Sequence, residues 1–334
     1  MRKGASFILL DYFHSTLHPD LYHGTHKTGP FFEGWYFKLI DASQQKRWCI
    51  IPGVYIGKNP ADSHAFIQVM DGVSGQSSYQ PFDFSSFVAQ TDRFEVNLAG
   101  NRFSASGIRL DISQPDLNLH GELHFGQASP WPVTLLSPGI MGWYAWVPGM
   151  ECYHGVVSLD HSLQGVLEIN GAPVDFSGGR GYTEKDWGKS FPRAWVWMQT
   201  NHFSQPGSSL TFSAAIIPWG KSSFDGFIAG LLTGGRLHRF ATYTGAHFEE
   251  YHVNDHAVHA VLSDRSTRLE VTASRPDGGI LRAPTLAQMD RRITETLSAQ
   301  VQVKLSHRQG SRWPVDFDDT GLHAGLEVNG KLNL

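Results

Sequence analysis

Apolar residues in this chain recur mostly at every second position, in short runs broken by turn residues. Leu117 to Phe125 alternates with period two, as a strand with one inward face does. Val166 to Ile169 alternates ahead of Asn170-Gly171, and Phe94 to Leu98 ahead of Ala99-Gly100-Asn101, so each predicts a hairpin. Leu269 to Ala273 alternates too, and Asp255 to Leu262 with Arg268 to Ala273 reads as a further hairpin. Helical spacing is scarce. Its best instance is Thr285 to Thr296, where Leu286, Met289 and Ile293 recur at intervals of three and four and predict a helix. Short alternating runs between turn signals predict an all-β protein of the sandwich or barrel type.

The pattern also repeats. Glu33-Gly34-Trp35-Tyr36-Phe37-Lys38 is followed by Cys49-Ile50-Ile51-Pro52-Gly53 and then by Ala65 to Met70. In the second half Arg193 to Met198 is followed by Ala215-Ile216-Ile217-Pro218-Trp219-Gly220 and then by Gly226 to Leu232. Each copy runs aromatic strand, gap, Ile-Ile-Pro, apolar strand. Two similar β-domains of about 150 residues follow, an ordinary domain size. The boundary falls near Gly188 to Pro192, giving domains of residues 1–188 and 189–334.

Composition narrows the function. The 334 residues are 41% hydrophobic and 17% charged, with net charge −4, so no basic footprint for nucleic acid is present. Ten Trp, 10 Tyr, 21 Phe and 35 Gly fit a β-rich protein with tight turns and an aromatic-lined cavity. Two cysteines, Cys49 and Cys152, make no disulfide framework and fit a reducing, cytoplasmic setting. The apolar run Phe7 to Leu10 is too short for a signal-peptide core or a membrane span. Peripheral contact with a membrane is left open.

The chemistry concentrates in residues 178–192, which carry Tyr182, Glu184, Lys185, Asp186 and Trp187 among glycines at the expected domain junction. Junctions favour ligand clefts, and acids crowded against aromatics are where pKa values shift. Glu33 sits on an aromatic strand beside Trp35, and Tyr153-His154 follows Glu151. Trp195, Trp197, Gln199 and Asn201 alternate and would share one strand face. Seventeen histidines include His14, His18, His23 and His26, and His252, His256 and His259. The later cluster falls across a hairpin, so no metal is expected and surface or strand positions are. No Gly-x-Ser-x-Gly elbow, dinucleotide fingerprint or phosphate loop occurs, so neither nucleophilic catalysis nor a nucleotide is indicated.

Phe32-Glu33-Gly34-Trp35-Tyr36-Phe37-Lys38 resembles the opening signature of the tocopherol cyclase family. Tyr182 to Gly188, Phe191-Pro192 and Trp195 to Asn201 resemble its central block, and Leu281-Arg282-Ala283-Pro284-Thr285 a third motif. The resemblance implies two tandem lipocalin-like antiparallel β-barrels, akin to those of carotenoid hydratases. It implies cofactor-free closure of a prenylated hydroquinone, a lipophilic quinol, to a chromanol. Plant members have a longer first half and Asn where this chain has Asp186. Such a closure protonates an alkene and lets a phenol oxygen capture the tertiary cation. It calls for a carboxylic acid in a dry, aromatic cavity. Asp186, Glu184 and Glu33 are the expected acid–base residues. Trp35, Tyr153, His154, Tyr182, Trp187, Trp195, Trp197, Gln199 and Asn201 are expected to hold the substrate, and Glu33, Glu184, Asp186, Trp195, Trp197 and Asn201 to line or border one shared cavity. A lipocalin-like binding protein for a lipophile and a hydratase of an isoprenoid alkene are the competing expectations.

Overall fold

A computed structural model describes residues 2–332 and 334, with side chains from Leu10 onward. Among the described residues the chain is all-β apart from one helix, α1 (Arg2–Leu17), and short 3-10 turns. It divides into two compact units. The first holds Met1–Val69, Ser78–Phe191 and Arg282–Arg291; the second holds Met70–Ser77, Pro192–Leu281 and Arg292–Leu334.

Strands β1 (Phe31–Ile40), β2 (Arg47–Ile56), β3 (His64–Asp71) and β4 (Ser77–Asp83) open the first sheet. It continues through β5 (Phe87–Ala89), β6 (Glu95–Leu98), β7 (Asn101–Ser104), β8 (Gly107–Gln114) and β9 (Leu117–Phe125). A small hairpin, β10 (Val133–Thr134) with β11 (Ser137–Pro138), leads to a 3-10 segment, Gly139–Trp146. Then come β12 (Cys152–Ile169), β13 (Ala172–Asp175) and β14 (Arg180–Gly188). The second sheet uses β15 (Trp195–Thr200), β16 (Ser209–Trp219), β17 (Ser222–Thr233), β18 (Arg236–Ala241) and β19 (His247–Val253). It ends with β20 (Ala257–Ser263), β21 (Thr267–Ser274), β22 (Gly279–Ala283), β23 (Arg291–His307) and β24 (Val315–Asn329).

The first sheet runs β4-β3-β2-β1-β14-β12-β9-β8-β7-β6-β5 and the second β18-β17-β16-β15-β24-β23-β21-β20-β19. Both follow one plan: a four-strand meander read backwards, then the last strand of the unit, then the remainder in descending order. Each is a lipocalin-like barrel curled round its own core. In the first, Trp35 and Phe37 of β1 reach across to Phe94 and Phe103, with ring centroids 5.5 and 5.8 Å apart. In the second, Phe227 of β17 meets Phe248 of β19 at 4.6 Å.

The hairpin signals hold. Asn170 and Gly171 adopt φ of 51° and 81° between β12 and β13, and Ala99 and Gly100 adopt 47° and 87° between β6 and β7. These are the left-handed values of the turns whose twist matches paired strands.

The helix expected over Thr285 to Thr296 is absent and needs correction. The Thr285 hydroxyl accepts from the backbone N–H groups of Ala287 and Gln288, closing a tight turn. From Ile293 on, the residues belong to β23, where buried Ile293, Leu297, Ala299, Val301, Val303 and Leu305 keep a period of two. That longer alternation outweighs three apolar residues at helical spacing.

Candidate functional site

Strand β14 carries the charged aromatic motif and lies between β1 and β12. Its register pairs Trp187 with Glu33 and Tyr153, Lys185 with Trp35 and Gly155, and Asp186 with Gly34 and His154. Residues paired across antiparallel strands share a face, and neighbours along a strand do not. The motif is therefore sorted into two clusters, one on each side of the sheet.

The inner cluster faces the first barrel's core. Lys185 and Glu33 form an ion pair with both side chains fully buried. The ammonium also donates to the Leu21 carbonyl and lies 4.6 Å from the centre of the Trp35 ring and 4.9 Å from that of Trp187. Glu33 accepts from the His23 backbone N–H at 2.8 Å, and His23 Nδ1 lies 3.2 Å from both Glu33 and Lys185. Burial works to raise the Glu33 pKa, but the Lys185 ammonium overcomes it and the net shift is downward. Burial lowers the His23 pKa, so its imidazole is neutral and accepts from Lys185 while Nε2–H donates to the Ser15 carbonyl. Burial lowers Lys185 as well, against Glu33. With a carboxylate, a carbonyl and two π-faces around it, the ammonium form is the one this pocket solvates.

Trp187 is the hub of an aromatic stack. His23 lies 4.1 Å from it and Tyr153 5.5 Å, both within 8° of parallel. Gly155 makes this possible, because a Cβ there would come 3.1 Å from the Trp187 ring. A cavity of about 160 Å³ borders the stack, lined by Tyr12, Thr16, His23, Tyr153, His154 and Trp187 among others.

The outer cluster is His154, Glu184, Asp186 and Tyr182. His154 Nδ1 donates to Asp186 Oδ1 at 2.9 Å, and its Nε2 lies 3.5 Å from Glu184. The Tyr182 hydroxyl donates to Glu184. Burial pulls the His154 pKa down, but Glu184 and Asp186 prevail and lift it to about 9. His154 is thus an imidazolium at neutral pH, bracketed by two carboxylates. Glu184 is buried, whereas the Asp186 side chain is 27% exposed. Cys152 Sγ lies 4.0 Å from Asp186, and burial keeps it a thiol.

One donor atom from each of His154, Glu184 and Asp186 lies within 4.8 Å of the others, close enough to share one cation.

Among the expected site residues, Glu33, Trp35, Tyr153 and Trp187 join the inner cluster or its stack, and His154, Tyr182, Glu184 and Asp186 form the outer one. Trp35 is fully buried in the barrel core. Trp195, Trp197, Gln199 and Asn201 belong to the second unit and are buried there. Val196 and Met198 fill that barrel's core, so Trp195, Trp197 and Gln199 occupy the opposite face of β15. Trp195 Nε1 donates to Glu327 at 2.6 Å, and Asn201, one residue past the strand, accepts from His202. His23 was expected among surface or strand histidines and is instead a buried partner of Glu33. Its only sequence signal is the local crowding of histidines.

A family model described as tocopherol cyclase-like matches residues 130–330. A rice protein described as a probable chloroplastic tocopherol cyclase is 26% identical over 206 residues, 59% of this chain and 44% of its own length. The chloroplastic tocopherol cyclase of maize is 27% identical over 198 residues, 57% of this chain and 41% of its own. The chain thus spans less than half the length of these relatives. Two solved structures share the fold. A putative AttH from Nitrosomonas europaea superposes with a TM-score of 0.54 at 17% identity, covering 89% of this chain and 92% of that one. CghA gives 0.54 at 10% identity, covering 90% and 88%.

Proposed function

This chain belongs to the tocopherol cyclase-like family, and on that premise we propose that it closes a prenylated hydroquinone to a chromanol. The observation that carries the reading is the His154 imidazole set between Asp186, at 2.9 Å, and Glu184, at 3.5 Å, in the outer cluster. In the resting site the proton sits on the imidazole. An apolar prenyl chain arriving at half-exposed Asp186 expels water, and desolvation favours a neutral pair over an ion pair. The proton then moves along the 2.9 Å hydrogen bond to Asp186. Asp186 delivers it to the less substituted alkene carbon, leaving the tertiary carbon positive. The phenol oxygen captures that carbon, and its own proton returns to the Asp186 carboxylate. No atom is gained or lost.

Glu184, with the Tyr182 hydroxyl on it, holds the imidazole in place from the Nε2 side. Glu33 does not act as the acid in this scheme. It is the counter-ion of Lys185, and it ties β1 to β14, the strand that carries Asp186.

Turnover in heavy water tests the reading. One deuterium is expected at the ring carbon next to the new quaternary centre, and Asp186→Asn is expected to lower kcat about 10²–10⁴-fold with the fold retained. Unlabelled chromanol overturns the protonation route. A product heavier by one water identifies a hydratase instead. Binding of the quinol without turnover, unaffected by Asp186→Asn, identifies a carrier.

A further inference from the structure

Residues 126–150 contain no Asp, Glu, Lys, Arg or His, in a chain that is 17% charged. At their centre is the two-residue loop between β10 and β11, Leu135-Leu136. Such loops ordinarily use Gly, Asn or Asp. Here the tip residues are leucines, 62% and 83% exposed. Neither occupies the left-handed region, so turn geometry gives no reason for them.

The tip is linked to further exposed apolar residues, with Asp11 of α1 among them at 48% side-chain exposure. The Leu135 carbonyl accepts from Trp146 Nε1 at 2.8 Å, and the Trp146 ring packs on Phe13 of α1 at 5.1 Å. Phe13 and Leu10 are one helical turn apart and both exposed. Trp143 precedes Trp146 by three residues on a 3-10 turn, where such residues eclipse, and it too is exposed. The surface borders the cavity, whose lining includes Tyr12, Pro138 and Met141 from the same elements. Exposed Lys27 and Lys189 also line that cavity, and among the described residues no carboxylate does, although the chain as a whole carries −4.

We propose that this surface docks the protein on an anionic lipid bilayer, with Leu135 and Leu136 inserted among the acyl chains and Lys27 and Lys189 against the headgroups. A protruding leucine wedge flanked by indoles is the form that enters an interface, where Trp and Tyr settle at headgroup depth. The cationic cavity rim complements an anionic leaflet. Docking would set the cavity mouth at the membrane plane, where a prenylated quinol resides. That last step rests on the cyclase reading; the surface itself does not.

Co-sedimentation with vesicles, without substrate, tests the surface apart from the chemistry. The full chain is expected to bind phosphatidylcholine vesicles weakly and vesicles containing phosphatidylglycerol more strongly. Leu135→Ser with Leu136→Ser should lower partitioning into both at least about tenfold. Lys27→Gln with Lys189→Gln should lower only the gain from phosphatidylglycerol, by about fivefold per charge. Tryptophan emission should shift to the blue on binding, less so in Trp143→Phe. A wild-type protein that stays in the supernatant with both vesicle types overturns the proposal. So does a serine variant that binds as well as wild type, or a dimer in sedimentation velocity that the serine variant dissolves. Vesicle binding without quinol turnover leaves the surface standing and removes the cyclase reading.

Discussion

His154 and the Glu33–Lys185 pair show how the two faces of one sheet hold charges in different surroundings. His154 gains two acidic partners on folding and its pKa rises to about 9. Its contribution to stability is complete below the unfolded imidazole range near pH 6.5 and is lost as pH climbs toward 9. His161 behaves oppositely: burial holds its pKa at about 4, so stability falls as pH drops from 6.5 toward 4. Urea titrations across pH should therefore show greatest stability near pH 6.5. The alkaline decline, on the order of 3 kcal/mol, should vanish in His154→Gln. The inner pair is a different case. Glu33→Gln strands the Lys185 ammonium in a fully buried site, and about 3–5 kcal/mol should be lost. Glu33→Gln combined with Lys185→Met should recover much of that, because a buried pair removed together leaves no orphan charge. Equal instability of the single and double variants would mean the packing, not the charge, carries the cost.

Strand β14 turns the motif into a site because alternation separates Tyr182, Glu184 and Asp186 from Lys185 and Trp187. Its end is fixed by Gly188, at φ 153°, where a Cβ would come 2.3 Å from the Glu151 carbonyl. Gly188→Ala is expected to cost about 1–3 kcal/mol through strain and backbone displacement. Activity should fall further than stability, because Asp186 and Trp187 shift with the strand. Thermal melts and kcat on the same preparation separate the two effects. At this scale much was legible from the sequence. The Asn170-Gly171 and Ala99-Gly100 turns and the period-two strands are local rules, and they hold. The false helix over Thr285 to Thr296 shows where local rules fail: Leu286, Met289 and Ile293 keep helical spacing, yet Ile293 begins the longer alternation of β23. Helix α1 was missed because its apolar run is short. The partition of Glu33 from Asp186 was out of reach too, since it depends on a register between residues about 150 positions apart, and no local signal reports that.

At the scale of the whole molecule, the two units share a strand order that the repeated Ile-Ile-Pro segments foreshadow. In each, the first strand pairs with the last: β1 with β14 through Phe32 and Gly188, and β15 with β24 through Trp195 and Asn329. Closing such long loops is paid in entropy before any contact rewards it, which makes folding slow. The ion pair between Glu33 and Lys185 bridges 152 positions across that closure. It gains strength only when water has left the barrel, because two charges in a wet, half-formed sheet attract weakly. The pair should therefore form after the rate-limiting step. Glu33→Gln is expected to leave the main refolding rate nearly unchanged and to speed unfolding by close to the full loss of stability. Stopped-flow refolding and unfolding in urea provide the comparison. A refolding arm slowed in proportion to the lost stability would place the ion pair in the folding nucleus and make it a guide to closure rather than a seal upon it.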